Sequence, residues 1–360
     1  MKIGIITFHS AHNYGATLQA FALQEYIKSL NHETYIIDYR PNYITKCYQR
    51  NNNRDWISKK PILCLKRLLR YIRYRKIRHS RYDNFQQFIN RRFNLYPFTE
   101  KMDFHEFDAL LIGSDQVWSP YHTGGHYDDI MFGEGFRCKV ISYAPSCSQE
   151  ILAPSHEEYL KSHLTNFSAI SVREYRFKEM LQPLTSKLIQ VVVDPTILAG
   201  RDVFERIAEP INKKKPYVLV YEIIPHSEVR KTAKGIACQL DADVIELTNG
   251  MLNYHSDEMD EGASPEKFLG YIKEAACVVT TSFHGTAFSL IFQTPFYMVK
   301  QGNVADNRMV SLLQAVNMEE RIIQMGVTPS FSVPNFSEMQ KKIERMNAVS
   351  QSFIINSLRK

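Results

Sequence analysis

The feature that most constrains the fold is a pattern that recurs along the chain: a short apolar run, a polar turn, a helix-like stretch, then another apolar run. It is clearest late in the sequence. Residues 275–279 read as a buried strand, 280–285 as a polar turn, 286–292 as a helix and 296–299 as the next strand. The N-terminus repeats it, with a strand at 2–8, a turn at 9–15, a helix at 16–30 and a strand at 34–39. Leu18, Phe21, Ala22 and Tyr26 fall near one face of that helix. Strands alternating with helices predict a parallel α/β sheet, because parallel neighbours need a crossover between them. In such sheets ligands bind beyond the carboxyl ends of the strands, where helix N-termini offer N–H groups to anions. His284, at a strand-to-helix turn, is therefore placed for chemistry.

Further strands are expected at 107–112, 139–144, 169–172 and 188–193. After the break at Lys213-Lys-Lys-Pro216, strands follow at 217–221 and 243–247. At 360 residues the chain exceeds one ordinary core. Two successive blocks imply two Rossmann-like, doubly wound domains facing a cleft, with the boundary between about 195 and 216. We divide the chain into 1–197, 198–335 and a C-terminal helix in 336–360 that packs back on the first domain. A basic helical segment lies at about 54–92, with Ile62, Leu65, Leu68, Leu69 and Ile72 as an apolar stripe and Phe85, Phe88 and Ile89 facing inward.

Composition excludes several classes. With 44% apolar and 23% charged residues the chain is globular. No apolar run approaches the ~18–20 residues that span a bilayer, and the N-terminus reads as a strand and not as a signal peptide. Six scattered cysteines without CxxC spacing suit reduced thiols and a cytoplasmic location. No HExxH, P-loop, Gly-x-Ser-x-Gly or zinc spacing occurs, so no metal is expected. The net charge of +6 is concentrated: residues 54–92 hold 13 Lys/Arg against 2 Asp/Glu. That segment is either a solvated face or a contact for an anionic surface, for which we expect the inner face of a membrane. Tyr71, Tyr74 and Tyr82 within it have helical spacing that suits packing better than base stacking, so no nucleic acid is expected.

Four other places join His284 as candidates. Arg173 follows a strand end in Ser171-Val-Arg-Glu174 and can fork onto an anion or pair with Glu174. Asp115 and Gln116 beside Trp118 offer an acid, an amide and a ring, which suits a sugar; capping of a following helix is the other reading. Asn13, Tyr14 and Gly15 stand in the first strand-to-helix turn, as cleft contacts or as plain turn geometry. Lys300 and Arg308 follow the late strand, where either could close on an anion held near Ser282, Gly285 and Thr286.

Together these pieces resemble the polysaccharide pyruvyl transferase family. The matching residues are His12-Asn-Tyr-Gly-Ala-Thr-Leu-Gln-Ala20, Gly113-Ser-Asp-Gln-Val-Trp118, Ser171-Val-Arg-Glu174, Asp194-Pro-Thr196, Ser264-Pro265 and Thr281-Ser-Phe-His-Gly285. They run in family order from about residue 3 to 315. The resemblance implies a glycosyltransferase-B-like pair of domains and phosphoenolpyruvate as co-substrate, with no further cofactor. The product would be a pyruvate ketal bridging two hydroxyls of a sugar in a bacterial capsule or exopolysaccharide, often while that sugar is on a lipid diphosphate. The family's cleft arginine and histidine fall on Arg173 and His284. Ser282-Phe283 stands where some members have Arg-Leu, which leaves Lys300 and Arg308 as candidates for the missing basic residue. Asn13, Tyr14, Asp115, Gln116 and Trp118 are expected to meet the acceptor. Two other functions fit the architecture: a glycosyltransferase using a nucleotide sugar, and a non-catalytic protein that binds polyanions or polysaccharides.

Overall fold

The computed structural model describes residues 1–48, 61–121, 123–147, 154–247 and 258–359, with the side chains of 61–74 outside that description. Residues 54–60 and the stripe from Ile62 to Ile72 thus lie outside it. Seven parallel strands form the first sheet: β1 (Lys2–Ile6), β2 (Glu33–Ile37), β3 (Leu95–Tyr96), β4 (Ala109–Ile112), β5 (Lys139–Ser142), β6 (Ala169–Val172) and β7 (Ile189–Val191). Their spatial order is β3-β2-β1-β4-β5-β6-β7. Six parallel strands form the second: β8 (Tyr217–Tyr221), β9 (Asp243–Leu247), β10 (Glu258–Met259), β11 (Cys277–Thr280), β12 (Phe296–Lys300) and β13 (Ile322–Gln324), in the order β10-β9-β8-β11-β12-β13.

Both sheets reverse their winding once, between β1 and β4 (Ile3 opposite Ala109) and between β8 and β11 (Val278 opposite Leu219). Crevices open at such reversals. The central strands run as continuous apolar segments because helices cover both faces: Ala109–Ile112 and Cys277–Thr280 are buried at every residue. β3, β10 and β13 are short edge strands that the sequence pattern does not reveal.

The helices are α1 (Tyr14–Ser29), α2 (Asn42–Thr45), α3 (Pro61–Arg92), α4 (Pro154–His163), α5 (Tyr175–Leu181), α6 (Pro195–Ala199), α7 (Arg201–Glu205), α8 (Ser227–Leu240), α9 (Pro265–Glu274), α10 (Phe283–Phe292), α11 (Asp306–Ala315) and α12 (Phe336–Arg359). Asn13 starts α1 by accepting from the N–H groups of Gly15 and Ala16. Ser264 caps α9 in the same way through Lys267 N, with Pro265 at the first helical position. The division expected at 197/198 falls within α6, and the chain crosses to the second sheet between α7 and β8. The helix α12 returns to the first domain, where Ser350 Oγ accepts from Val193 N and Asn347 Nδ2 donates to Ile197 O.

The domains share one core. Tyr14 lies flat on Phe268 of α9, with ring centroids 4.4 Å apart and planes 5° from parallel, and its hydroxyl donates to Ala263 O. Arg81, on the C-terminal half of α3, donates to Tyr14 OH, to His12 O and to Glu261 O. Asn84 donates to Gly262 O, and Arg91 and Arg92 face Glu266. The two helical stretches expected around 62–91 are thus one helix, whose C-terminal half straps the domains together. Burial holds His12 in this joint neutral, pulling it down to about 4 with help from Arg81 and Arg40.

Phe268 is fully buried between the domains. Phe268→Ala should lower the unfolding free energy by about 3–5 kcal/mol, the usual cost of emptying such a site, as read from a urea transition.

Candidate active site

The site forms where the strand-end loops of the two sheets meet. On the first sheet, the loops after β4, β5 and β6 are stitched side by side. Ser146 N donates to Asp115 O, and Arg173 N donates to Pro145 O. This ledge carries Asp115, Ser146, Arg173 and Glu174. Opposite it, β11 ends at Thr280 and α10 begins at Phe283 because Ser282 Oγ accepts from Gly285 N. His284 therefore sits in the first turn of α10, a helix that starts three residues earlier than the sequence pattern predicts. Side-chain capping by Ser282 accounts for the earlier start.

Asp194 joins the two sides. It N-caps α6 through Oδ1, which accepts from Thr196 N at 2.9 Å and Thr196 Oγ1 at 2.7 Å. Its Oδ2 takes Arg173 Nη1 at 2.7 Å and Ser114 Oγ at 3.4 Å, and lies 3.8 Å from His284 Nε2. The last distance is beyond a hydrogen bond, so the imidazole faces the carboxylate edge without bonding to it. Burial opposes ionisation of Asp194, but His284, Arg173 and the Thr196 N–H hold its carboxyl well below the usual range.

Arg173 is almost wholly buried. Its Nε donates to Glu174 Oε1 at 2.9 Å, and its guanidinium lies 4.5 Å from the centre of the Phe283 ring across the cleft. Ser146 Oγ also donates to Glu174 Oε1 at 2.7 Å. Three buried polar atoms here have no partner among the described residues: Arg173 Nη2, Glu174 Oε2 and His284 Nε2. Buried polar atoms are rarely left so, and these three match an anion and a hydroxyl.

Gly15, at the start of α1, packs directly on the His284 ring; a Cβ there would stand 2.0 Å from His284 Nδ1. Gly285 is needed because a Cβ would stand 2.3 Å from Thr280 Oγ1. Arg308, in the first turn of α11, reaches the same place. Burial and the neighbouring Arg173 lower its guanidinium, and Glu174, Asp115 and Asp194 counter them. Lys300 ends β12 half-exposed and does not line the cavity shared by Arg173, Glu174, Asp194, Phe283 and Arg308.

The structure thus brings together Arg173, His284 and Arg308 with Asp115 close by. Ser282 and Thr286 shape the turn: Ser282 caps α10, and Thr286 Oγ1 donates to Ser282 O. Gln116 is half-buried beside Asp115. Three expected acceptor contacts require correction. Trp118 is fully buried, stacked on Phe132, with its Nε1 donating to Met131 O, so its ring faces the first domain's core. Tyr14 is buried in the joint between domains. Asn13 directs its Oδ1 into the α1 cap. Asp115 caps no helix; it adopts a left-handed φ of 64° in an irregular loop. Residues missed from the sequence are Asp194 and Phe283; Glu174 enters the sequence reading only as a partner for Arg173, a pair the structure forms. Asp194-Pro-Thr196 signals a helix start, and nothing in it signals the second oxygen.

Removing the Asp194 carboxylate leaves Arg173 Nη1 buried without its partner. Asp194→Ala should cost about 3–5 kcal/mol in urea unfolding. Because the folded-state value is depressed, the advantage of wild type over Asp194→Asn should be full above about pH 4, the ordinary carboxyl value. It should shrink as pH falls further toward the folded-state value.

A family model described as polysaccharide pyruvyl transferase matches residues 13–303. No curated protein matches the sequence. Among solved structures, UDP-N-acetylglucosamine 2-epimerase from Rickettsia bellii is similar at 9% identity, over 100% of this chain and 97% of that one, with a TM-score of 0.50. The UDP-GlcNAc 2-epimerase of Methanocaldococcus jannaschii is 12% identical over 96% of this chain and 93% of its own, with a TM-score of 0.46. That of Neisseria meningitidis bound to UDP-GlcNAc is 9% identical over 99% of both chains, also with a TM-score of 0.46. At such identities the likeness concerns the fold alone, a glycosyltransferase-B-like pair of Rossmann-like domains.

Proposed function

The chain belongs to the polysaccharide pyruvyl transferase family, and on that premise we propose that it transfers the pyruvyl group of phosphoenolpyruvate to a sugar as a ketal. The observation that carries this reading is the Arg173–Asp194–His284 bridge across the cleft, with Arg308 beside it. Phosphoenolpyruvate carries about three negative charges, and guanidinium groups together with the α10 N-terminus form a cradle for them. Arg173 Nη2 and Arg308 hold the donor. Arg308 does the work for which Lys300 was the other candidate.

His284, protonated, gives its proton to the methylene carbon, and the adjacent carbon becomes cationic. A sugar hydroxyl bonds to that carbon, with its proton passing to a base, for which Glu174 Oε2 is the available carboxylate oxygen. The carbon–oxygen bond to phosphate then breaks, phosphate leaving with the electron pair. A second sugar hydroxyl closes the ketal, its proton passing to His284, and the proton taken up by Glu174 leaves with phosphate, so both groups return to their starting states. Asp194 orients the imidazole and offsets its charge, and Gly15 fixes the ring from behind. Phosphoenolpyruvate is thus the only co-substrate in the scheme, and no metal enters it.

The nucleotide-sugar reading is weaker. In the second domain the loop after β12 turns three N–H groups, of Gln301, Gly302 and Asn303, onto the Asp306 carboxylate. At the end of β8, burial pushes the Glu222 carboxyl up to about 8. The N–H groups after β12 are taken by a carboxylate of the chain itself, which disfavours an anion at that loop. For the polyanion-binding reading, part of the basic segment already serves the domain joint through Arg81, Arg91 and Arg92.

His284→Ala should lower phosphate release from phosphoenolpyruvate, assayed over a panel of galactosides, mannosamines and glucosides, by about 10²–10⁴-fold without unfolding the protein. Arg308→Ala should raise KM for phosphoenolpyruvate, and Lys300→Ala should leave both constants near wild type. Near-normal turnover of His284→Ala would end the proposal.

The exposed Arg75 and Lys76 continue the basic segment away from the joint. We assign this end to anionic lipid at the inner membrane face. Flotation should retain the protein on vesicles containing phosphatidylglycerol and release it as salt rises; equal binding to neutral vesicles would refute the assignment.

A further inference from the structure

We propose that Ser350 and Asn347, on the last helix α12, are positioning residues for the reaction: they hold the short segment that carries the Asp194 carboxylate and so set where Arg173 and His284 stand. The inference rests on the pyruvyl-transfer reading for what Arg173 and His284 do. What holds Asp194 follows from geometry alone.

Asp194 stands on a segment that local structure does not fix. The β7 ladder gives out at Val192, whose N–H donates to Val172 O, so Val193 lies past the sheet. Asp194 then opens α6, which is five residues long, and a helix of that length is not stable by itself. Its carboxylate must nevertheless meet Arg173 Nη1 and Thr196 N while it faces His284. A group that aligns two others in this way needs a backbone held to within about 0.5 Å.

The holding comes from elsewhere in the chain. Val193 N donates to Ser350 Oγ at 3.0 Å, and Val193 O accepts from Tyr143 OH at 3.0 Å. Ser350 and Tyr143 are fully buried and Val193 nearly so, and backbone groups in such a place depend on protein partners. Ser350 Oγ gives its own proton to Met346 O, one turn back, which leaves its lone pairs for the Val193 N–H. On the far side, Asn347 Nδ2 donates to Ile197 O at 3.2 Å, one of the carbonyls that a helix end leaves unpaired. The chain is thus clamped one residue before Asp194 and three residues after it. Both grips come from one face of α12, since positions three apart on a helix are neighbours. Neither residue lines the cavity bordered by Arg173 and Arg308, so any effect on the reaction runs through Asp194. Without Ser350 Oγ the buried Val193 N–H loses its acceptor, a cost that the segment can relieve only by shifting.

Ser350→Ala and Asn347→Leu each remove one grip, and having two variants covers the case in which one fails to fold. In either, kcat for phosphate release from phosphoenolpyruvate should fall about ten- to a hundredfold, the scale of loss that an ångström of misplacement brings. KM should change less, because Arg308 and the α10 N-terminus are untouched. Ile354→Val loosens the buried face of α12 one turn beyond Ser350 and leaves both grips in place, so its kcat should stay near wild type. A second measurement needs no activity. In urea, the stability lost through Ser350→Ala should shrink by about half or more when Asp194→Asn is already present, because members of one hydrogen-bond network are coupled. Unchanged kcat in both grip variants, an equal loss of kcat in Ile354→Val, or additive stability losses would overturn the inference. A wild type that releases no phosphate with any acceptor removes only the pyruvyl-transfer reading, and the urea cycle then decides whether α12 positions Asp194.

Discussion

A carboxylate with no access to water holds the two halves of the site together. Asp194 is buried completely, and a buried charge is tolerated only when opposite charge and hydrogen bonds surround it. Its partners come from four places: Thr196 on its own helix, Ser114 after β4, Arg173 at the end of β6, and His284 on the second domain. The charge balance of the site and the packing of one domain on the other are consequently one arrangement. A shift of α10 by a turn would leave Asp194 with partners from the first domain only and would turn the imidazole out of the cleft.

The first helix enforces that arrangement from the opposite direction. Tyr14 stacks on Phe268 and Gly15 lies against the His284 ring, so adjacent residues anchor the second domain and limit where the imidazole can stand. The stack supplies the apolar contact, and the absent Cβ allows the approach. A motif that reads as a ligand loop therefore acts mainly as a joint. It positions the His284 ring, the acid of the proposed reaction, without touching the reacting atoms.

The alternation of strands and helices is legible in the sequence because parallel strands covered on both faces must be apolar throughout. His284 and Arg173 are legible for a related reason: a polar residue directly after such a strand lies at the rim where ligands bind. Trp118 follows the same rule of position and yet turns inward, because an aromatic ring next to Phe132 and Phe167 gains more by burial than by exposure. Asp194 is hidden by its own cap, since one oxygen explains the motif and the other joins the site. Choosing between Lys300 and Arg308 requires α11, which sequence periodicity does not announce and which folds Arg308 back toward Arg173. Side-chain direction is set by tertiary packing, and that is the layer local pattern leaves open.

The fold is shared with enzymes of other chemistry, so the ligand must be argued from charge. Two guanidinium groups, Arg173 and Arg308, face three carboxylates, Glu174, Asp194 and Asp115, within one small volume. The set carries one negative charge in excess, small enough to spare the cleft a large self-repulsion. A trianion entering it adds to that excess, and the two guanidinium groups with the α10 N-terminus are what can meet it. On the proposed reaction, protonation of the methylene carbon and departure of phosphate each lower the excess again, so the charge that opposes donor binding favours the forward steps.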